Sequence, residues 1–114
     1  MSPKLRNSFE FELQKAKDAM SDSDPTLTWH HLARAHVLGQ FYAGPHLRVH
    51  TWMFIFGIKT LNAKEMIGQI PRLLLAAPGS ILRKAPKGNT GLSNAGLFQP
   101  MPIPEDLQNL LNNK

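Results

Sequence analysis

Between Asn7 and Met20 the apolar residues Phe9, Leu13, Ala16 and Met20 recur at the spacing of one helix face, with Glu, Gln, Lys and Asp on the others. The pattern predicts a first helix, interrupted by Ser21-Asp22-Ser23-Asp24. Asp24-Pro25 then reads as an N-cap followed by a proline at the first helical position, where its missing N–H breaks no bond. In this second helix Trp29, Leu32, Ala33, His36 and Val37 form the inward stripe, and Gly39 is placed to end it in a left-handed C-terminal turn. Gly44-Pro45 repeats the start signal, and a third helix is expected from His46 to about Leu61, with His46, Val49, His50, Met53 and Phe56 or Gly57 as its stripe. Asn62 and Glu65 resemble a capping box opening a fourth helix. Its buried side is expected to carry Met66, Ile67, Ile70, Leu73 and Leu74, with a kink at Pro71.

Beyond Ala77 prolines and glycines recur too often for another long helix. A brief helical turn near residues 80–84 is the most that segment supports. From Gly88 to Pro104 the chain reads as an extended strap that docks through Leu92, Leu97, Phe98, Met101 and Ile103, followed by a short last helix from Glu105 to Leu111. The fold expected is all-α: two helical hairpins in a tetratricopeptide-like four-helix array, closed by the C-terminal strap and short final helix. One domain over 1–114 is expected, with the hairpins in 1–76 and the strap and last helix in 77–114.

Composition narrows the chemistry. The 114 residues contain no Cys, which removes disulfides, thiolate metal sites, iron-sulfur clusters and cysteine nucleophiles together. Hydrophobic residues make up 42%, enough for a core, and charged residues 18%, too few for the signature of a disordered chain. The N-terminus lacks the apolar run of a secretory signal, and no apolar stretch approaches the ~20 residues of a membrane span, so a cytoplasmic protein is expected. The net charge is +5, and residues 59–87 alone hold Lys59, Lys64, Arg72, Arg83, Lys84 and Lys87 against Glu65. That excess suits an anionic surface, yet no recognition-helix or aromatic RNA-binding motif accompanies it, which argues against specific nucleic-acid binding.

All five histidines, His30, His31, His36, His46 and His50, lie within residues 30–50. His46 and His50 are four apart, so both imidazoles stack on one helix face. A short connection between the second and third helices brings His36 opposite them, and all three sit on inward stripes. Three imidazoles with a fourth position open suit zinc, copper, nickel or iron. Gln40, Tyr42 and Glu12 are the candidate residues behind the ligands, and Arg34 and Arg48 oppose a cation unless they turn outward. His30 and His31 diverge by about 100° and are expected to be surface or structural residues. No nucleophile elbow, HExxH, phosphate loop or dinucleotide fingerprint is present. The aromatics around the same hairpin read as core, and the apolar girth of Trp52–Ile58 is what a central helix or a homodimer contact requires.

The run His31-Leu32-Ala33-Arg34-Ala35-His36-Val37-Leu38-Gly39-Gln40, with Gly44-Pro45-His46 through His50, Gly88-Asn89-Thr90-Gly91 and Pro100-Met101-Pro102-Ile103-Pro104, resembles a family of small bacterial proteins known as a domain of unknown function. The resemblance covers most of the chain and implies a bacterial protein of one helical domain. It implies no assigned activity or site; the proximity of some relatives to heavy-metal resistance functions leans toward metal. The leading expectation is transition-metal binding through His36, His46 and His50, in metal homeostasis or resistance. The alternatives are a tetratricopeptide-like module that binds a protein or peptide around structural histidines, and a metal-dependent enzyme.

Overall fold

The computed structural model describes residues 1–60, 63–81, 87, 89–92 and 100–112, with side chains in 63–81 described for 65 and 67–76. Among these the fold is all-α, with five helices: α1 (Pro3–Ser21), α2 (Pro25–Gly39), α3 (Ala43–Lys59), α4 (Ala63–Ile81) and α5 (Glu105–Asn112). No described helix is long and apolar enough to cross a membrane.

Local chemistry accounts for most boundaries. The Ser2 hydroxyl accepts from Leu5 N at 3.2 Å with Pro3 in the first turn, so α1 begins earlier than its apolar stripe. The Asp24 carboxylate accepts from Leu27 N at 3.1 Å and Pro25 opens α2, as the sequence predicts. Gly39 does not end α2 through a left-handed turn: it is the last residue of the helix, and Gln40 follows at φ −63°. α3 opens at Ala43, taking Gly44-Pro45 into its first turn. α4 runs through Pro71 to Ile81 without a break. Asn62 of the expected capping box, the remainder of the expected turn at 80–84, and Gly88, Leu97 and Phe98 of the strap lie outside the described residues.

α1 packs along α2 and α3 along α4; α2 contacts α3, and α5 sits against α1 and α2. Leu5, Phe9, Leu13, Leu32, Leu38, Val49, Met53 and Leu107 are at most 1% exposed and form one apolar cluster joining α1, α2, α3 and α5. Leu92 and Ile103 of the strap dock on it, and Met101 N donates to Lys87 O at 3.0 Å. α4 contributes nothing to that cluster among the described residues.

The reason is a correction to the sequence reading. α4 is turned the other way: Glu65, Gln69, Arg72 and Ala76 are buried, whereas Ile67, Ile70 and Leu74 are 70%, 50% and 74% exposed. Residues 65, 69, 72 and 76 are i, i+4, i+7 and i+11, one helix face, so α4 presents a mainly polar stripe inward and an apolar one outward.

Candidate metal centre

The polar stripe of α4 faces three histidines delivered by a tight corner. A Cβ on Gly39 would stand 2.8 Å from Phe9 Cε2 and 3.0 Å from Pro45 Cβ, so only glycine lets α2 and α3 close over Phe9. Tyr42 N donates to Gly39 O at 3.0 Å, and His46 N to Tyr42 O at 2.9 Å, which carries the chain directly into α3. His36, one turn before the end of α2, thereby meets His46 and His50 from the first two turns of α3.

The three rings converge through like atoms. His36 Nε2 lies 3.1 Å from His46 Nε2 and 3.0 Å from His50 Nε2. Ring centroids stand 4.7 to 4.9 Å apart, and each residue offers a ligand nitrogen within 4.8 Å of the others. All three side chains are buried.

Groups behind the rings decide which nitrogen carries hydrogen. His36 Nδ1 is 2.5 Å from the carbonyl oxygen of Asn89, which can only accept, so Nδ1 donates. His50 Nδ1 is 2.6 Å from Gln69 Oε1. That amide is oriented by its own donations, from Nε2 to Glu65 Oε2 at 3.0 Å and to Gly91 O at 2.9 Å, so its oxygen faces the imidazole. A backbone hydrogen bond at Ala76 favours the protonated form of the His46 ring. In the neutral rings the Nε2 lone pairs of His36 and His50 therefore face each other at 3.0 Å with no N–H between them. That arrangement is repulsive unless a cation lies among them. Donors ~2.0–2.1 Å from a tetrahedral zinc ion lie about 3.3 Å from one another, close to the separations here.

Burial keeps the rings neutral. Desolvation, aided by the neighbouring imidazoles, holds His36 well below the ordinary histidine value, and desolvation lowers His46 to about 4 and His50 to about 3. The Arg72 charge adds to the depression of His36 and His50. Arg34 and Arg48 turn away: Arg34 binds Glu12 and Asp106, and Arg48 binds Glu10. Neither opposes a cation at the centre.

The histidines sit where their spacing places them, but the groups behind them differ from expectation. Glu12 accepts instead from His31 Nδ1 at 2.7 Å and Arg34 Nε at 2.8 Å, so His31 is structural, while His30 is exposed. Tyr42 is half-buried against the core and Gln40 is fully buried. Sequence reasoning missed Gln69, Asn89 and Gly91. Gly91 has φ +79°, and a Cβ there would lie 2.5 Å from His36 Cδ2. Its amide donates to Asn89 Oδ1 at 2.8 Å, folding 89–91 into a turn laid against the ring. The signal for that turn was the Gly88-Asn89-Thr90-Gly91 run; for Gln69 it was a polar residue among apolar ones on α4.

A family model described as Protein of unknown function (DUF3703) matches residues 3–111. No curated protein and no solved structure matches the chain.

Proposed function

The chain belongs to the family described as Protein of unknown function (DUF3703), and we propose that it binds one transition-metal ion through Nε2 of His36, His46 and His50. The observation that carries the reading is the convergence of three buried imidazoles, with Nε2 of His46 and His50 lying 3.1 and 3.0 Å from that of His36 while Nδ1 of His36 and of His50 is engaged by Asn89 and Gln69. A metal needs the neutral imidazole, and burial supplies it at neutral pH. Hydrogen bonds that Nδ1 of His36 and of His50 donates to Asn89 O and Gln69 Oε1 fix ring orientation and raise donor strength, the usual arrangement behind ligating histidines.

The donors are three nitrogens, with no thiolate and no carboxylate among them. Such a set suits zinc, copper, nickel or iron and disfavours calcium and magnesium, which take oxygen ligands. Three protein donors leave a fourth position for water or an incoming ligand. The role that follows is ion handling in metal homeostasis or resistance.

The test is titration of the purified, chelator-stripped protein with zinc, Cu(I) and nickel, read by elemental analysis and by X-ray absorption at the metal edge. One ion per chain with three imidazole donors is expected. Uptake by His46→Ala/His50→Ala should fall to the level of adventitious surface binding. Failure of the wild-type chain to bind any of these ions above that level would overturn the reading, as would a bound ion with no imidazole scatterers. The spectroscopic arm needs no variant and is independent of whether the substituted core folds.

A further inference from the structure

The outward face of α4 remains unexplained by the centre. Every exposed described residue of that helix is apolar: Ile67, Ile70, Pro71, Leu74 and Leu75. α3, packed alongside, turns Leu47 and Ile58 outward as well, at 43% and 44% exposure. With α4's polar stripe committed to the histidines, its apolar stripe has no partner among the described residues. Ile67, Ile70, Leu74 and Leu75 of α4 alone leave on the order of 450 Å² of apolar side chain open, within the range of the largest, often functional, patches of ordinary monomers and more than half of the ~800 Å² that each side of a stable interface buries.

The chemistry of the face selects its occupant. A helix that lies on a membrane carries aromatic and basic side chains along its apolar boundary, and the exposed described residues of α4 include neither. Among the described exposed residues of α4, a strongly acidic partner would find no cation to pair with. An uncharged apolar surface is complementary to another of its kind, and a two-fold axis supplies one, because the same patch then faces itself. We propose that the α3–α4 hairpin docks on that of a second copy of this chain, its α4 stripe against the other's, giving a four-helix contact at the centre of a homodimer. Leu74 and Ile67 lie about two turns apart and anchor the two ends of the stripe. The metal reading is not a premise of this inference.

The experiment is mass determination in solution by light scattering and sedimentation, with and without zinc. The wild-type chain is expected at twice its 12.8 kDa. Ile67→Glu/Leu74→Glu, at exposed positions, should keep its helical circular dichroism and fall to the single-chain mass, while Phe11→Glu, on the exposed side of α1, should remain dimeric. Because the chain has no Cys, Ile70→Cys adds an independent readout on a nearly native surface. Under mild oxidant it should form a covalent dimer far faster than Phe11→Cys. A wild-type chain that stays at single-chain mass up to millimolar concentration overturns the proposal. So does a dimer that survives the double substitution, or single-chain protein that pellets with phosphatidylserine vesicles through the same stripe.

Discussion

Gln69 is the side chain on which the centre is most exposed to a single change. It accepts from His50 Nδ1 and donates to Glu65 and Gly91, so it joins the histidines, the polar stripe of α4 and the turn at 89–91. Gln69→Leu keeps the volume and leaves the His50 N–H and the Gly91 carbonyl without their partner. The expected cost is about 1–3 kcal/mol in urea unfolding, with metal affinity lowered ~10–100-fold in the same titrations. Protonation gives a second expectation at this scale. In the metal-free protein the three rings titrate below the ordinary 6.5, His46 at about 4 and His50 at about 3. Between those values and 6.5 the unfolded chain binds protons that the folded one refuses. Stability is therefore full above pH 6.5 and falls as pH drops toward 4. From pH 6.5 to 5.5 each ring should remove about 1 kcal/mol from the unfolding free energy. Denaturant curves across that interval should show the loss, and a shallower slope in His50→Asn.

Helices, caps and corners show how far a sequence discloses its own structure. Asp24-Pro25 was legible because cap chemistry is local, and the stripe of α3 because its inward face follows ordinary periodicity; on α2 the expected Leu32, His36 and Val37 are buried, but Trp29 and Ala33 are only half-buried while Thr28, Ala35 and Leu38 face inward. The histidine trio was legible for the same reason, being part of those stripes. α4 was not: apolar periodicity identifies a helix but not which neighbour its stripe meets, and here Gln69 and Glu65 are satisfied by bonds to His50, Gly91 and each other that no local pattern encodes. Gly39 was recognised as a boundary glycine, but its use is close approach, which depends on Phe9 some thirty positions away. Two substitutions test such approaches. Gly39→Ala places a methyl against Phe9 and Pro45 and should cost about 1–3 kcal/mol through overpacking. Gly91→Ala meets both a left-handed backbone and the His36 ring. It should cost about as much in stability, and it should weaken metal binding as well, whereas Gly39→Ala acts mainly on folding. Paired denaturation and titration separate the two.

Across the whole molecule, two kinds of attachment coexist. α1, α2, α3 and α5 share one apolar cluster, reinforced by Glu12, His31, Arg34 and Asp106 across three helices. α4 is held through α3 and through the polar groups around the histidines. An ion at the centre is therefore expected to stabilise the fold by about 2.7 kcal/mol at a hundredfold excess over Kd. Amide exchange should slow most in α4 and in residues 89–92, and least in α1.

The turn at 89–91 and the corner at Gly39 also bear on kinetics. With the three side chains buried and their ring nitrogens pointing inward from α2 and α3, an ion held among them would be out of reach of a chelator in solution while the protein stays shut. Discharge would then wait on a spontaneous breathing of the hairpin, and the rate of stripping by EDTA should climb to a ceiling set by that motion. Such a protein is suited to retaining its cargo for long periods, and would need a partner that pries it open for rapid delivery.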